Sequence, residues 1–346
     1  MKIGIVTVYD SANFGSYLQA YALKTALNEM GHEVSFVKIR DRRKLRKLFL
    51  PRTINVKKYL FNHKKMNLFF REIDKFEEID IDNININTFD MVIIGSDECW
   101  NVNSETFQNK YFYGIDIPTN RIISYAISCG NADEATMKKY PKLIEGINNL
   151  ERVFVRDELT REIIEKITDK KTTFTCDPTF LIDVQKMSSN YELDNIGEYI
   201  LVYSYGFSKS VIKYIKELTK ELNVKTVSAG LFNSWCDLNI NCSPLEFSSL
   251  IKGAKYVITS TFHGCIFSIL NRKKCVVVKG SHKVNDVLSR LDLDDIVLFD
   301  DKVGTYKEFK NILSSEQDFD NAYKNIIQMR KDSINLLENQ IQGEVN

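Results

Sequence analysis

Short, almost continuously apolar runs alternate with helical patterns along this chain, and the alternation begins twice. In the first series the pattern predicts strands at Lys2–Val8, Glu33–Ile39, Met91–Ile94 and Ile122–Ser128, with a helix from about Gly15 to Met30. After Asp177-Pro178-Thr179-Phe180-Leu181 it predicts strands at Tyr199–Tyr205, Lys225–Ala229, Tyr256–Thr259 and Cys275–Lys279, separated by helices over Ser210–Leu222 and near Ser243–Ile251. A strand that is apolar on both faces must be covered on both, so the expected fold class is α/β, with parallel sheets between layers of helices. Two Rossmann-like domains are expected, at 1–182 and 183–312, facing a cleft. A last helical stretch, 313–346, is expected to pack back on the first domain through residues such as Phe319, Tyr323, Ile326 and Leu337.

A chain of 346 residues with 44% hydrophobic content can bury two cores. Its net charge of +1 creates no global field for a nucleic acid, so no nucleic-acid partner is expected. The seven cysteines are odd in number and never in Cys-x-x-Cys spacing, which argues against a disulfide framework and a structural metal site. No apolar run reaches the ~18 residues that span a bilayer, and the N-terminus lacks the apolar core of a signal peptide. The expected location is the cytoplasm, or the inner face of a membrane as a peripheral protein. That second option rests on residues 38–75, where fourteen Lys and Arg stand against three acids with Phe49, Tyr59, Phe61, Phe69 and Phe70 among them. Such a stretch suits contact with anionic lipid headgroups, or is simply a solvated helical insertion.

Four segments put chemistry at strand ends, where open α/β sheets bind ligands. In Val257-Ile258-Thr259-Ser260-Thr261-Phe262-His263-Gly264-Cys265 a strand runs through a polar turn into a helix. An imidazole and free backbone N–H groups then meet where an anion binds. Asn13-Phe14-Gly15-Ser16-Tyr17-Leu18-Gln19 follows the first strand and offers Asn13, Gly15 and Gln19, but no Gly-x-Gly-x-x-Gly, so no dinucleotide cofactor is expected. Gly95-Ser96-Asp97-Glu98-Cys99-Trp100 offers Asp97 or Glu98 as a proton acceptor, Ser96 as a hydrogen-bond donor and Trp100 as a sugar-stacking face or a core residue. Arg156, after Val153-Phe154-Val155, is suited to grip a carboxylate or phosphate, or to pair with Asp157. Asp177 is read as fixing the turn between domains. Lys279, His282 and Arg290 are further cations near a strand end.

Taken in order, Asn13-Phe14-Gly15, Leu18-Gln19-Ala20, Gly95-Ser96-Asp97, Trp100-Asn101, Ser124-Tyr125-Ala126, Arg156-Asp157, Asp177-Pro178-Thr179 and Ser260-Thr261-Phe262-His263-Gly264 resemble the polysaccharide pyruvyl transferase family over about residues 1–295. The resemblance implies a fold like the two-domain GT-B glycosyltransferases. It also implies phosphoenolpyruvate as donor and a hydroxyl pair of a cell-surface polysaccharide, or of its lipid-linked precursor, as acceptor, the product being a pyruvate ketal. Carried over, His263 is the expected general acid, Asp97 the base and Arg156 a third catalytic residue. Ser260, Thr261, Phe262 and Gly264 then border the donor, and Asn13, Gly15, Gln19, Ser96 and Trp100 the acceptor. Relatives often carry Arg two residues before the histidine; Thr261 stands there in this chain, so Lys279, His282 or Arg290 is expected to supply the cation. Two alternatives share the pattern: a GT-B-type glycosyltransferase using a nucleotide sugar, and a non-catalytic glycan- or carrier-binding protein.

Overall fold

The computed structural model describes residues 1–39, 55–192, 196–279, 281–293 and 298–343. Residues 40–54, which carry seven of the fourteen Lys and Arg of the basic run at 38–75, lie outside the described residues. The first sheet holds β1 (Lys2–Val6), β2 (Glu33–Lys38), β3 (Glu78–Asp80), β4 (Met91–Ile94) and β5 (Ile122–Ser124), all parallel, in the order β3-β2-β1-β4-β5. A parallel pair, β6 (Val153–Val155) and β7 (Thr172–Phe174), continues past β5 through single bridges from Ile123 to Arg152 and from Ile127 to Val155. The second sheet is β10-β9-β8-β11-β12-β13, built from β8 (Tyr199–Tyr203), β9 (Lys225–Ala229), β10 (Leu238–Ile240), β11 (Tyr256–Thr259), β12 (Cys275–Val278) and β13 (Leu298–Phe299), also all parallel.

In each sheet the strand order reverses beside the first strand, between β1 and β4 and between β8 and β11. That is the point at which adjacent βα loops diverge and leave a crevice at the carboxyl ends of the strands. The α/β class with two Rossmann-like sheets is therefore as the sequence predicts. Five strands end sooner than predicted, β1 at Val6, β2 at Lys38, β5 at Ser124, β8 at Tyr203 and β12 at Val278, and Val8 and Tyr205, just beyond β1 and β8, line the crevice.

Around the sheets lie α1 (Phe14–Glu29), α2 (Val56–Ile73), α3 (Glu134–Met137), α4 (Pro141–Asn148), α5 (Glu158–Ile167), α6 (Lys209–Leu222), α7 (Pro244–Gly253), α8 (Phe262–Leu270), α9 (His282–Arg290), α10 (Tyr306–Ser314) and α11 (Phe319–Gln342). Their starts are written locally. Ser243 and Glu246 form a capping box at α7, and the side chains of Asn13, Ser208 and Thr261 accept backbone N–H bonds at α1, α6 and α8.

One apolar cluster runs through both halves. Phe14, opening α1, stacks between Phe69 of α2 and Tyr203 of β8 with centroids 5.4 and 5.9 Å away, and meets Phe247 of α7 at 5.0 Å. α2 also reaches the second sheet's side, where Phe61 packs edge-on to Phe232 at 5.6 Å and its carbonyl accepts a bond from Asn241 Nδ2 at 3.1 Å. α11 touches both halves. Ser333 Oγ accepts from Cys176 N at 2.9 Å and Arg330 donates to the Ile182 carbonyl, while Tyr323 donates to the Leu270 carbonyl. Among the described residues no helix is long and apolar enough to cross a membrane.

Candidate active site

The carboxyl ends of β1, β4, β8 and β11, with the start of α9, line one cleft of about 520 Å³ between the two sheets. Its second-half wall is built by the turn from β11 into α8. Thr259 Oγ1 donates to the Tyr203 carbonyl at 2.7 Å, which fixes the turn against β8, and Ser260 pairs with Ser204 through their hydroxyls at 2.7 Å. Thr261 Oγ1 accepts the Gly264 N–H at 3.0 Å and so caps α8. Gly264 is required by space: a Cβ there would stand 2.1 Å from Thr259 Oγ1. The consequence is that Phe262 and His263 occupy the first turn of α8, directly at the cleft.

His263 is 8% exposed. Its ring lies across the start of α1 so closely that a Cβ on Gly15 would fall 2.0 Å from Nδ1. Gly15 thus makes room for the imidazole of the other half. Nε2 has no hydrogen-bond partner and stands 3.8 Å from Asp177 Oδ2. Burial pushes the imidazole pKa below its ordinary value, against the opposing pull of Asp177 and Asp97.

Behind this wall is a sealed ionic cluster. Arg156, 4% exposed, donates from Nη1 to Asp177 Oδ2 at 2.7 Å, lies 3.8 Å from Asp97 Oδ1 through Nη2, and holds its guanidinium 4.7 Å from the Phe262 ring centre. Its Nε and Nη2 have no hydrogen-bond partner. Asp177 does fix a turn, since Oδ1 accepts from Thr179 N and Oγ1 at 3.1 and 2.7 Å. Its other oxygen serves Arg156 and faces His263, a role the turn reading did not foresee. Asp97 sits in the left-handed region at φ 74°, where a non-glycine residue is strained, and accepts from Ser16 Oγ at 3.0 Å. Burial raises its carboxyl pKa, but the nearby Lys283, Arg156 and His263 and the Ser16 bond outweigh that and hold it below the usual value.

Of the residues singled out in the sequence, Asn13, Asp97, Glu98, Ser260, Thr261, Phe262 and His263 line the cleft together. The Asn13 side chain is engaged in capping, accepting from Gly15 N at 2.9 Å. Others need correction. Trp100 is wholly buried, donates from Nε1 to the Phe112 carbonyl at 2.7 Å and stacks on Tyr113, so it offers no face to a sugar. Gln19 and Ser96 are also wholly buried. Gln19 Nε2 donates to Thr7 Oγ1 and to the Ser16 carbonyl, and its Oε1 accepts from Ser96, so the pair ties the β1 and β4 loops together rather than meeting an acceptor. Arg156 stands one layer behind the wall, beneath Phe262.

None of the three expected donor cations is in the cleft. Lys279 is 62% exposed with Nζ 3.4 Å from Asp301. His282 is exposed on α9. Arg290 pairs with Asp286 and lies over the Phe174 ring at 3.8 Å. Among the described residues the cation that does line the cleft is Lys283, paired across it with Glu98. Helix geometry explains the shift: position 282 is turned about 100° from 283, and 290 shares its stripe but lies roughly 10 Å further along the axis. Reading Ser281 as the cap of a helix would have pointed to Lys283. Tyr205, 72% exposed, lines the cleft as well, with no motif to mark it.

Comparison with solved structures gives the fold. The chain is similar to the UDP-GlcNAc 2-epimerase of Methanocaldococcus jannaschii, with a TM-score of 0.56 at 10% identity over 98% of this chain and 100% of that one. It is similar to a putative UDP-N-acetylglucosamine 2-epimerase of Listeria monocytogenes, with a TM-score of 0.57 at 8% identity over 99% and 97%. It also resembles the spinosyn rhamnosyltransferase SpnG, with a TM-score of 0.50 at 9% identity over 98% and 100%. These likenesses are to proteins of the GT-B architecture and establish the architecture alone. No curated protein sequence matches the chain. The model of the polysaccharide pyruvyl transferase family matches residues 13–282, a span that takes in the α1 loop, Asp97, Arg156, Asp177 and the His263 turn; the chain belongs to that family.

Proposed function

We propose that the protein transfers the pyruvyl group of phosphoenolpyruvate to a pair of hydroxyls on a polysaccharide or its lipid-linked precursor, forming a pyruvate ketal. The observation that carries this reading is His263 Nε2, buried in the cleft wall with no hydrogen-bond partner. A buried polar atom left unpaired is costly and marks a place that a ligand completes.

The reaction divides among the residues present. His263, protonated once an anion is bound, gives its proton to the donor's methylene carbon, which becomes a methyl group. Asp97, ionised, faces the positive character that develops at the neighbouring carbon and takes the proton of the attacking hydroxyl. The first hydroxyl's bond gives a tetrahedral adduct, from which phosphate leaves with the C–O bonding pair, taking up the proton that Asp97 accepted. The second hydroxyl then closes the ring on the same carbon and returns a proton to His263, so one donor and two hydroxyls yield one ketal and one phosphate. Lys283 and the N–H groups at the start of α8 meet the donor's negative charge. Arg156 acts as a positioning residue, holding Asp97 and Asp177 in place from behind.

Incubation with phosphoenolpyruvate and a panel of glycans, following phosphate release and the gain of one pyruvyl unit by mass, tests the reading. Asp97→Asn is expected to lower turnover by about 10²-fold or more; full turnover in that variant would remove Asp97 from its role.

A further inference from the structure

Glu98 and Lys283 form the one ion pair, among the described residues, both of whose members line the cleft. Glu98 comes from the first half, just beyond β4, and Lys283 from the second, in the first turn of α9. Two ion pairs of this region differ in kind. Arg156 and Asp177 are 4% and 1% exposed, sealed and fixed, whereas Lys283 and Glu98 are 19% and 28% exposed, open to exchange. Glu98 is pinned on its own side: Oε2 accepts from Asn101 Nδ2 at 2.9 Å, and Gly130 approaches so closely that a Cβ there would stand 2.6 Å from Oε2. Lys283 rides on a flexible stem and lies 5.5 Å from the centre of the Phe262 ring, beside His263. The movable partner is therefore the lysine.

The charge of the wall gives the pair its meaning. The described lining carries Asp97 and Glu98 against Lys283, with His263 kept neutral by burial. A multiply charged anion entering this cleft meets a net negative wall and a lysine already engaged. We infer that Glu98 is a placeholder for the anionic substrate on Lys283: the donor's carboxylate or phosphate takes the lysine over, and the freed Glu98 carboxylate becomes a hydrogen-bond acceptor for the second substrate. This deepens the pyruvyl transfer reading and adds an order of binding, donor before acceptor, because the acceptor's contact is occupied until the donor arrives.

Calorimetric titration with phosphoenolpyruvate and, separately, with inorganic phosphate tests the exchange in the wild type, Glu98→Gln, Lys283→Met and the double variant. Thermal unfolding checks that each is folded, and Glu98→Ala serves as a second removal of the carboxylate. Removing the competing carboxylate is expected to tighten both anions roughly two- to fivefold, the scale of a part-exposed ion pair. Lys283→Met is expected to weaken them by about tenfold or more, and in its background the Glu98 substitution is expected to have no effect. Weaker or unchanged binding in both Glu98 variants, or no binding by any of the five proteins, overturns the exchange. Inorganic phosphate needs only the anion site. Tighter phosphate binding in Glu98→Gln without any turnover of phosphoenolpyruvate would therefore uphold the exchange while refuting the proposed reaction.

Discussion

The contact between Gly15 and His263 joins a backbone position of one half to the proposed general acid of the other. Gly15→Ala puts a methyl group 2.0 Å from the present place of Nδ1, so the ring must leave its seat while α1 gains a better helix former. Turnover is expected to fall by about 10²-fold, as for other displacements near 1 Å, with the melting temperature little changed; steady-state rates near wild type would show that the seat does not matter. Burial also sets the pH response of His263. Its folded pKa lies below the unfolded value, about 6.5, so between the two the unfolded chain binds the proton and the folded one does not. The stability it contributes is present above the unfolded value and is lost as pH falls through the folded one. Thermal unfolding at pH 7.5 and 5.5 is expected to show a smaller acid loss in His263→Gln than in the wild type. An anionic donor should reverse the depression, so that binding at neutral pH takes up a proton.

At the scale of elements, α2 turns one face inward and one outward. Phe61, Lys65, Phe69 and Ile73 are buried at four-residue spacing, and Val56, Tyr59 and Leu60 are exposed. Lys65 lies over the Phe14 and Phe69 rings at 5.4 and 5.5 Å, and burial pushes its amine down to about 8. Between that value and about 10.4 the unfolded chain holds the proton more strongly, so wild-type stability should rise with pH there. Denaturant unfolding at pH 7.5 and 10 is expected to show Lys65→Met more stable than wild type at the lower pH, with the gap closing at the higher. An unchanged gap would mean the amine is not buried charged. The described part of the basic stretch is therefore not a solvated face throughout, since one stripe of α2 is buried against the body. Sequence alone could not show this, because a lysine in an aromatic slot has the same letter as one in water. Central strands such as Met91–Ile94 and Tyr256–Thr259 were legible because both faces are largely buried and nearly every residue is apolar. The edge strands β3, β7 and β10 were not, since half-exposed residues carry no such signal. Proximity to a strand end was equally legible, which brought Asp97 and His263 forward together with Gln19 and Trp100. Which of them faces the cleft depends on the pleat and on the packing beneath, and that is set by tertiary contacts.

Across the whole molecule, two parallel sheets share one apolar cluster, α2 and α11 touch both, and the carboxyl ends of their strands meet at a single cleft. A net charge of +1 conceals a local arrangement in which, among the described residues, Lys283 at the cleft and Arg156 behind its wall are each already matched by a carboxylate. Membership of the pyruvyl transferase family sets the class of chemistry to seek, and the cleft wall at His263 is where the proposal places it. The most direct test is transfer carried out in deuterium oxide with phosphoenolpyruvate and an accepted glycan, read by mass spectrometry of the glycan. The account predicts a pyruvate ketal whose methyl group carries one deuterium in the wild type, and no ketal with His263→Ala. Ketal formed at the wild-type rate by the alanine variant, or no gain of a pyruvyl unit by any glycan from phosphoenolpyruvate while a nucleotide sugar serves as donor, would contradict it.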